Sequence, residues 1–279
     1  VVGMGGAGFP TFIKLSPPVI ENIDTILING AECEPYLTSD YRVMVEESEK
    51  VAEGLRIILH LFPKAKGYIA IEDNKPEAIA KMMEVTKNDE NIQILVLKTK
   101  YPQGSEKQLI YACTNREVPS GKLPADVGCI VQNIDTVVAI HRAIVRGRPL
   151  MRRIVTVSGG AIKEPKNFKV RIGTTYRELV EAAGGFIEEP AKIISGGPMM
   201  GIALFSLDVP VIKTSSSILC LTEKEAVLPP EKACIRCGKC VDVCPMNLLP
   251  LSLNAHALHH EWDDFEKEHG MDCMECGSC

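Results

Sequence analysis

Four short apolar runs punctuate the first half of the chain: Ile23–Ile28, Gly67–Glu72, Ile92–Leu97 and Cys129–Gln132. Each is bounded by polar or turn residues, as expected of strands buried on both faces. Between them the apolar positions change to helical spacing. Val43, Met44, Val51, Leu55, Ile58 and Leu59 predict one helix over about 41–62, capped by Ser39 and Asp40. Pro76 opens a second helix to about Lys87, and Val137, Val138, Ile140 and Ile144 mark a third over about 134–145. Strands alternating with helices predict an α/β domain with a doubly wound parallel sheet over residues 1–150. From Arg153 the pattern shortens: strands at 154–158, 168–172 and 191–195, a helix at 174–183, then apolar runs at 210–212 and 217–221. This reads as a small β-grasp domain over 151–225. Leu228-Pro229-Pro230 is a linker, and residues 230–279 form loops with one helix over about 248–260.

Composition narrows the class. With 279 residues the chain is long enough for two or three domains, and 46% hydrophobic with 24% charged is ordinary for a globular α/β protein. A formal net charge of −5 argues against non-specific nucleic-acid binding. No apolar run is long enough to span a bilayer. The chain opens on Val1 and closes in mid-motif, which reads as a sequence cut at both ends. Of eleven cysteines, seven fall in two runs; Cys33, Cys113, Cys129 and Cys220 are expected as buried reduced thiols in a reducing compartment.

The two runs carry the strongest chemical signal. Cys234-Ile-Arg-Cys237-Gly-Lys-Cys240-Val-Asp-Val-Cys244-Pro245 has the C-x2-C-x2-C-x3-C-P spacing of a cubane iron–sulfur loop, and Cys273-Met-Glu-Cys276-Gly-Ser-Cys279 repeats its first three ligands. In a two-cluster arrangement the fourth cysteine of a run serves the other cluster. One [4Fe–4S] cluster would therefore take Cys273, Cys276, Cys279 and Cys244. The other would take Cys234, Cys237 and Cys240, and is one ligand short within residues 1–279. Zinc or disulfides rarely call for seven cysteines at this spacing.

Candidate ligand loops lie where strands end. Gly3, Gly5 and Gly8 match G-x-G-x-x-G, weak evidence by itself, and Pro10 with Pro17-Pro18 leaves room for only a short helix. We read a glycine-rich phosphate or flavin loop other than the Rossmann one, the alternative being a tight turn without ligand. Asn29-Gly30-Ala31-Glu32-Cys33-Glu34-Pro35-Tyr36 leaves the first strand at its carboxyl end, where open α/β sheets gather ligands; the alternative is a solvated acidic turn. Tyr101, Gly104 and Glu106 precede another helix start, and Asn133 and Thr136 sit at a strand-to-helix junction. Gly121-Lys122 is no Walker motif, because Leu123 replaces the Ser or Thr. The basic stretch Arg142–Arg153 is expected to be a solvated helix end and linker. His256, His259 and His260 lack the glutamate of H-E-x-x-H and are expected at the surface.

Taken together, Gly3–Thr11, Asn29–Tyr36, Tyr101–Ile110 and both cysteine runs resemble the RnfC family, the C subunits of the Rnf electron transport complex, over essentially the whole chain. The first 150 residues are similar, more distantly, to the FMN/NADH-binding subunit of respiratory complex I. That resemblance implies FMN across the carboxyl edge of the sheet, NAD(H) stacking on it, and two [4Fe–4S] clusters. Gly3, Gly5, Gly6 and Lys14 would hold the FMN phosphate side, and Asn29, Glu32 and Glu34 would line flavin and ribose. Tyr101, Gly104 and Glu106 would form the far wall, Asn133 and Thr136 would close the site, and Phe9 would stack on adenine or nicotinamide. The β-grasp domain looks like the SLBB type. Met4 departs from the complex I loop, which has Arg there, and Ser105 replaces the first of two adjacent glutamates. The family also has a domain before residue 1.

Two functions follow as expectations. In the first the chain is a flavo-iron–sulfur oxidoreductase subunit with no obligatory side-chain catalyst, peripheral on the cytoplasmic face of the membrane. Its partners would be the other Rnf subunits, with ferredoxin or the iron–sulfur B subunit exchanging electrons and ion pumping left to partner subunits. In the second it is an electron-relay adaptor, or a cobalamin-reductase-like subunit, without an NADH site of its own.

Overall fold

The computed structural model describes residues 1–279 as two compact units, Val1–Ala226 and Val227–Cys279. The first unit opens with the glycine loop and a single-turn helix α1 (Thr11–Lys14). Then come β1 (Thr25–Gly30), α2 (Ser39–Glu46), α3 (Ser48–Leu61), β2 (Lys66–Glu72), α4 (Pro76–Thr86), β3 (Ile92–Leu97), α5 (Glu106–Thr114), β4 (Cys129–Asn133) and α6 (Ile134–Arg146). The four strands are parallel in the order β3-β2-β1-β4. Ile26, Ile28, Ile69, Ile71 and Ile130 pack with the buried faces of α2, α3, α4 and α6. Leu27, Ala70, Cys129 and Val131 face the opposite way and pack with Leu109 and Ile110 of α5. Covering both faces accounts for the nearly unbroken apolar runs. Chain order reverses between β1 and β4, and such a switch point opens a crevice at the carboxyl ends of the strands.

The helix expected over 41–62 is two helices, broken at Glu47. Glu47 sits at φ −125°, and its carboxylate meets Arg142, Lys169 and Lys50. Three cations from three elements outweigh one helical hydrogen bond. Ser39 and Asp40 are the first residues of α2 rather than its cap; no side chain of the adjoining Thr38 caps it either.

The β-grasp part follows: β5 (Arg152–Ser158), β6 (Lys166–Arg171), α7 (Tyr176–Ala182), β7 (Lys192–Ser195), β8 (Ile202–Leu204) and β9 (Ser217–Leu221), ending in α8 (Glu223–Ala226). The sheet order is β6-β5-β9-β7-β8, with only β5 and β9 parallel. Tyr176, Leu179 and Val180 of α7 bury against Val155, Val157, Ile218 and Cys220. The run at 210–212 is no strand: Pro210 makes one isolated bridge with Thr175, and its ring nitrogen has no proton to offer a ladder. The strand in its place, β8, escapes the pattern because it is an exposed edge. Nor is the basic stretch simply a linker, for Arg152 and Arg153 begin β5 and Arg153 is buried.

The second unit contains α9 (Lys239–Asp242), α10 (Pro250–His259) and α11 (Trp262–Lys267), the last not announced by any periodicity. His259 and His260 are exposed, as expected. His256 is not: its side chain is 19% exposed, its Nδ1 lies 2.8 Å from Glu261, and Glu268 lies 3.4 Å from Nε2. Cys129 and Cys220 are buried, whereas Cys33 and Cys113 are partly buried, all four as free thiols. Burial pushes the thiols of Cys113 and Cys220 up to about 12. They are inert packing.

Candidate functional site

The glycine loop is seated on the start of α6. Asn133 caps that helix, its Oδ1 accepting the N–H groups of Asp135 (2.9 Å) and Thr136 (3.4 Å). Its Nδ2 donates to Asp40 at 2.6 Å. Thr136 Oγ1 accepts the Met4 N–H at 3.0 Å. A Cβ on Gly5 would lie 2.9 Å from Asn133 Nδ2, so only glycine lets the loop approach this closely. Gly3 donates to the Phe9 carbonyl at 2.9 Å and closes the loop. The N–H groups of Gly5, Gly6 and Ala7 have no acceptor within the chain, and a Cβ on Gly6 would meet nothing within 4 Å. Successive free amides above a helix N-terminus are a donor set that suits a phosphate, so the loop fits the phosphate end of FMN. Phe9 is half-exposed beside it.

Lys14 reaches the carboxyl end of β4, donating to the Val131 carbonyl at 2.9 Å and pairing with Glu106 at the start of α5. The structure thus joins two residues that the resemblance puts on opposite sides of the site. Asn29 Nδ2 donates to the Gly104 carbonyl at 2.7 Å, and the Gly104 N–H donates to Cys33 Sγ at 3.2 Å. These bonds tie the Tyr101–Ser105 turn to the end of β1. Tyr101 is partly buried in that turn. Gly3, Gly5, Gly6, Asn133 and Thr136 form one group, and Asn29, Tyr101, Gly104, Glu106 and Lys14 another, both at the carboxyl edge.

The two glutamates after β1 are engaged by other parts of the chain instead. Glu32, at φ 47°, accepts the N–H groups of Asp40 (2.7 Å) and Tyr41 (3.0 Å) and the Ser39 hydroxyl (3.3 Å). It is the cap that α2 otherwise lacks, supplied from seven residues upstream. Glu34 accepts the N–H groups of Met199 (3.2 Å) and Met200 (2.8 Å) in the turn between β7 and β8. Burial and the Asp40 charge push the Glu32 carboxyl up to about 8. Burial and Asp135 raise Asp40 in turn, and burial raises Asp135 against the pull of Arg153. Lys75, buried nearby, donates to the Ala31 carbonyl at 2.6 Å and lies 3.3 Å from Glu72.

Asp40, expected as a helix cap, and Asp135 and Arg153 were not read as site residues from the sequence, although Arg153 carried a signal. It shares the inward phase of β5 with Val155 and Val157, two and four residues on.

In the second unit the two cysteine triads share their left-handed positions. Positive φ falls at Arg236 (56°) and Gly238 (77°) in one, and at Glu275 (53°) and Gly277 (73°) in the other, at matching offsets from the first cysteine. Left-handed residues at such intervals turn backbone N–H groups inward, the concave form that suits an anionic cluster. The Arg236 N–H already donates to Cys234 Sγ at 3.3 Å, and the Leu248 N–H to Cys244 Sγ at 3.4 Å. Burial raises the Cys279 thiol, and the neighbouring Cys244, Cys273 and Cys276 add to it. The thiols in two such loops are a donor set that fits iron–sulfur clusters.

A parallel sheet with a glycine loop at its switch point, then a β-grasp domain and paired cysteine loops, defines a flavin- and cluster-binding class of electron-transfer chain. Residues 1–142 match the Nuo51 FMN-binding domain, residues 154–203 the SLBB domain, and residues 227–279 the 4Fe–4S dicluster domain. The chain belongs to the Nuo51 FMN-binding domain family. It is 52% identical over 271 residues to the C subunit of the proton-translocating ferredoxin:NAD(+) oxidoreductase complex of Clostridium ljungdahlii, covering 97% of this chain and 59% of the relative. It is 47% identical over 272 residues to the C subunit of the Na(+)-translocating ferredoxin:NAD(+) oxidoreductase complex of Acetobacterium woodii, covering 98% of this chain and 61% of that one. The chain thus spans about three fifths of the length of these curated relatives. Among solved structures, a chain of an NAD+-reducing [NiFe]-hydrogenase in the air-oxidized state shares the fold, with TM-score 0.66, 18% identity, and coverage of 80% of this chain and 45% of that one.

Proposed function

We propose that this chain is the flavo-iron–sulfur part of an ion-translocating ferredoxin:NAD oxidoreductase complex. It exchanges electrons with NAD(H) at FMN and passes them singly to or from [4Fe–4S] clusters. One observation carries the reading: a glycine loop with free amides at the switch point and two like-folded cysteine triads occur in one chain. Bound FMN supplies the conversion between paired and single electrons, which neither nicotinamide nor cluster performs alone. The chain's own residues bind and orient. Gly5, Gly6 and Ala7 offer N–H groups to the phosphate, and Asn133 and Thr136 hold that loop in place. Asn29 sets the height of the Gly104 turn, and Lys14 and Glu106 form a paired wall. Cys273, Cys276, Cys279 and Cys244 hold one cluster, and Cys234, Cys237 and Cys240 supply ligands to the other. Backbone N–H groups aimed at sulfur tune cluster potential.

No helix of the chain is long and apolar enough to cross a membrane. We assign it to the cytoplasmic face as a peripheral subunit, with ion movement in its partners and ferredoxin or the B subunit as electron partner. A second reading, an electron relay without an NADH site, draws on the internal engagement of Glu32 and Glu34. The two separate in one experiment. Protein loaded with FMN and clusters is mixed anaerobically with NADH and followed by electron paramagnetic resonance. Cluster reduction supports the first reading; loaded protein that ignores NADH overturns it and leaves the relay.

A further inference from the structure

Arg153 belongs to the β-grasp part of the chain, yet its side chain is spent on the glycine loop. It is 3% exposed, and all its partners are accounted for. Nε donates to the Ser215 carbonyl at 3.0 Å, within its own part. Nη1 pairs with the Asp135 carboxylate on the first turn of α6 and lies 2.9 Å from Met4 Sδ. Nη2 reaches the Met4 carbonyl at 3.4 Å. Met4 is itself buried and hangs from Thr136 by its N–H. One guanidinium therefore bridges the second sheet, the start of α6 and the residue immediately before the free amides of Gly5, Gly6 and Ala7.

We propose that Arg153 is a positioning residue for the flavin phosphate, holding the glycine loop on α6 from the β-grasp domain so that phosphate affinity depends on that domain. The inference rests on the flavin reading above. Two physical points carry it beyond packing. A buried guanidinium that engages the Asp135 carboxylate and the Met4 and Ser215 carbonyls together favours one loop geometry, because moving the loop away removes a partner that no water replaces. The cation also reaches the Met4 carbonyl, one residue before the amides assigned to a dianionic group, so its positive charge favours that group. Asp135 is buried beside the guanidinium, and Asp40 is tied to the same place, accepting from Asn133 Nδ2 at 2.6 Å.

The test compares FMN with riboflavin, which lacks the phosphate, by fluorescence titration of Arg153→Met, Arg153→Lys and the unchanged protein, with iron and sulfide content alongside. The expected result is at least about tenfold weaker FMN binding in Arg153→Met, unchanged riboflavin binding, partial recovery in Arg153→Lys and unchanged cluster content. Equal losses for both flavins would mark Arg153 as purely structural and overturn the proposal, as would unaltered FMN binding. If Arg153→Met does not fold, Arg153→Lys and Asp135→Asn carry the same FMN-to-riboflavin comparison, and an unchanged ratio in both overturns it. Unchanged protein that binds neither flavin overturns the flavin reading itself, a separate outcome.

Discussion

Glu34 Oε1 accepts the Met200 N–H at 2.8 Å, joining the loop after β1 to the turn between β7 and β8. A Cβ on Gly197 in that turn would stand 2.2 Å from Glu34 Oε2. Gly197→Ala should therefore destabilise the chain by about 1–3 kcal/mol through overpacking. Glu34→Ala removes the obstacle as well as the hydrogen bonds. In a double-mutant cycle read by denaturant unfolding, the pair should cost less than the sum of the two single changes. Strict additivity would mean that the contact is not made.

Glu32 gives stability a pH dependence of unusual sign for a carboxylate. Its folded value is raised to about 8 from 4.5 by burial first and Asp40 second. A raised folded value means that its contribution is fully present below about 4.5 and is lost as pH rises through about 8. Melting temperature should fall across that window, and Glu32→Gln should flatten the fall. Glu32→Ala should lower stability below that window, by about 1 kcal/mol for the lost cap, and by less as pH rises through it.

Glu47 works in the opposite direction. Burial opposes its ionisation, but Lys169, Arg142 and Lys50 together more than offset this and hold it at about 2. A depressed value stabilises above the ordinary 4.5 and is lost as pH falls toward about 2. Glu47→Gln should reduce the slope of acid unfolding in that range, measured by circular dichroism.

Asn133→Ala removes the α6 cap and the donor to the partly buried Asp40 carboxyl. A loss of about 1–2 kcal/mol is expected from the cap. Gly5→Val should impair flavin retention with little effect on cluster content, since its Cβ meets Asn133 and the cysteine loops lie in the other compact unit. Simultaneous loss of iron would contradict that separation.

Cys244→Ser tests the exchange of ligands between runs. In a two-cluster arrangement Cys244 would serve the cluster held by Cys273, Cys276 and Cys279. The variant should lose the iron of the cluster bound by the second triad and leave any iron on the first triad unchanged, as read by iron analysis and electron paramagnetic resonance. Loss confined to the first triad's cluster would reverse the assignment.

Much of the architecture was legible because buried strands and amphipathic helices write a period into the chain. The runs at 92–97 and 217–221 coincide with β3 and β9. Failures came where polar residues outweighed that period. Glu47 breaks a helix whose apolar spacing continues through it, and β8 lies at an edge with no buried face to announce it.

The sequence alone determined the cysteine chemistry, because thiolate spacing within a short loop is a local property, and it located the glycine and amide loops at strand ends for the same reason. Which side chains face a ligand and which hold the fold was decided only in three dimensions. Glu32 and Glu34 read as ligand carboxylates, yet one caps α2 and the other holds a turn of the β-grasp sheet. Arg153 read as linker, yet it is buried against Met4 and Asp135. A charged group taken out of water must find a partner, and that partner can lie on any element the fold brings near. No spacing along the chain records that choice.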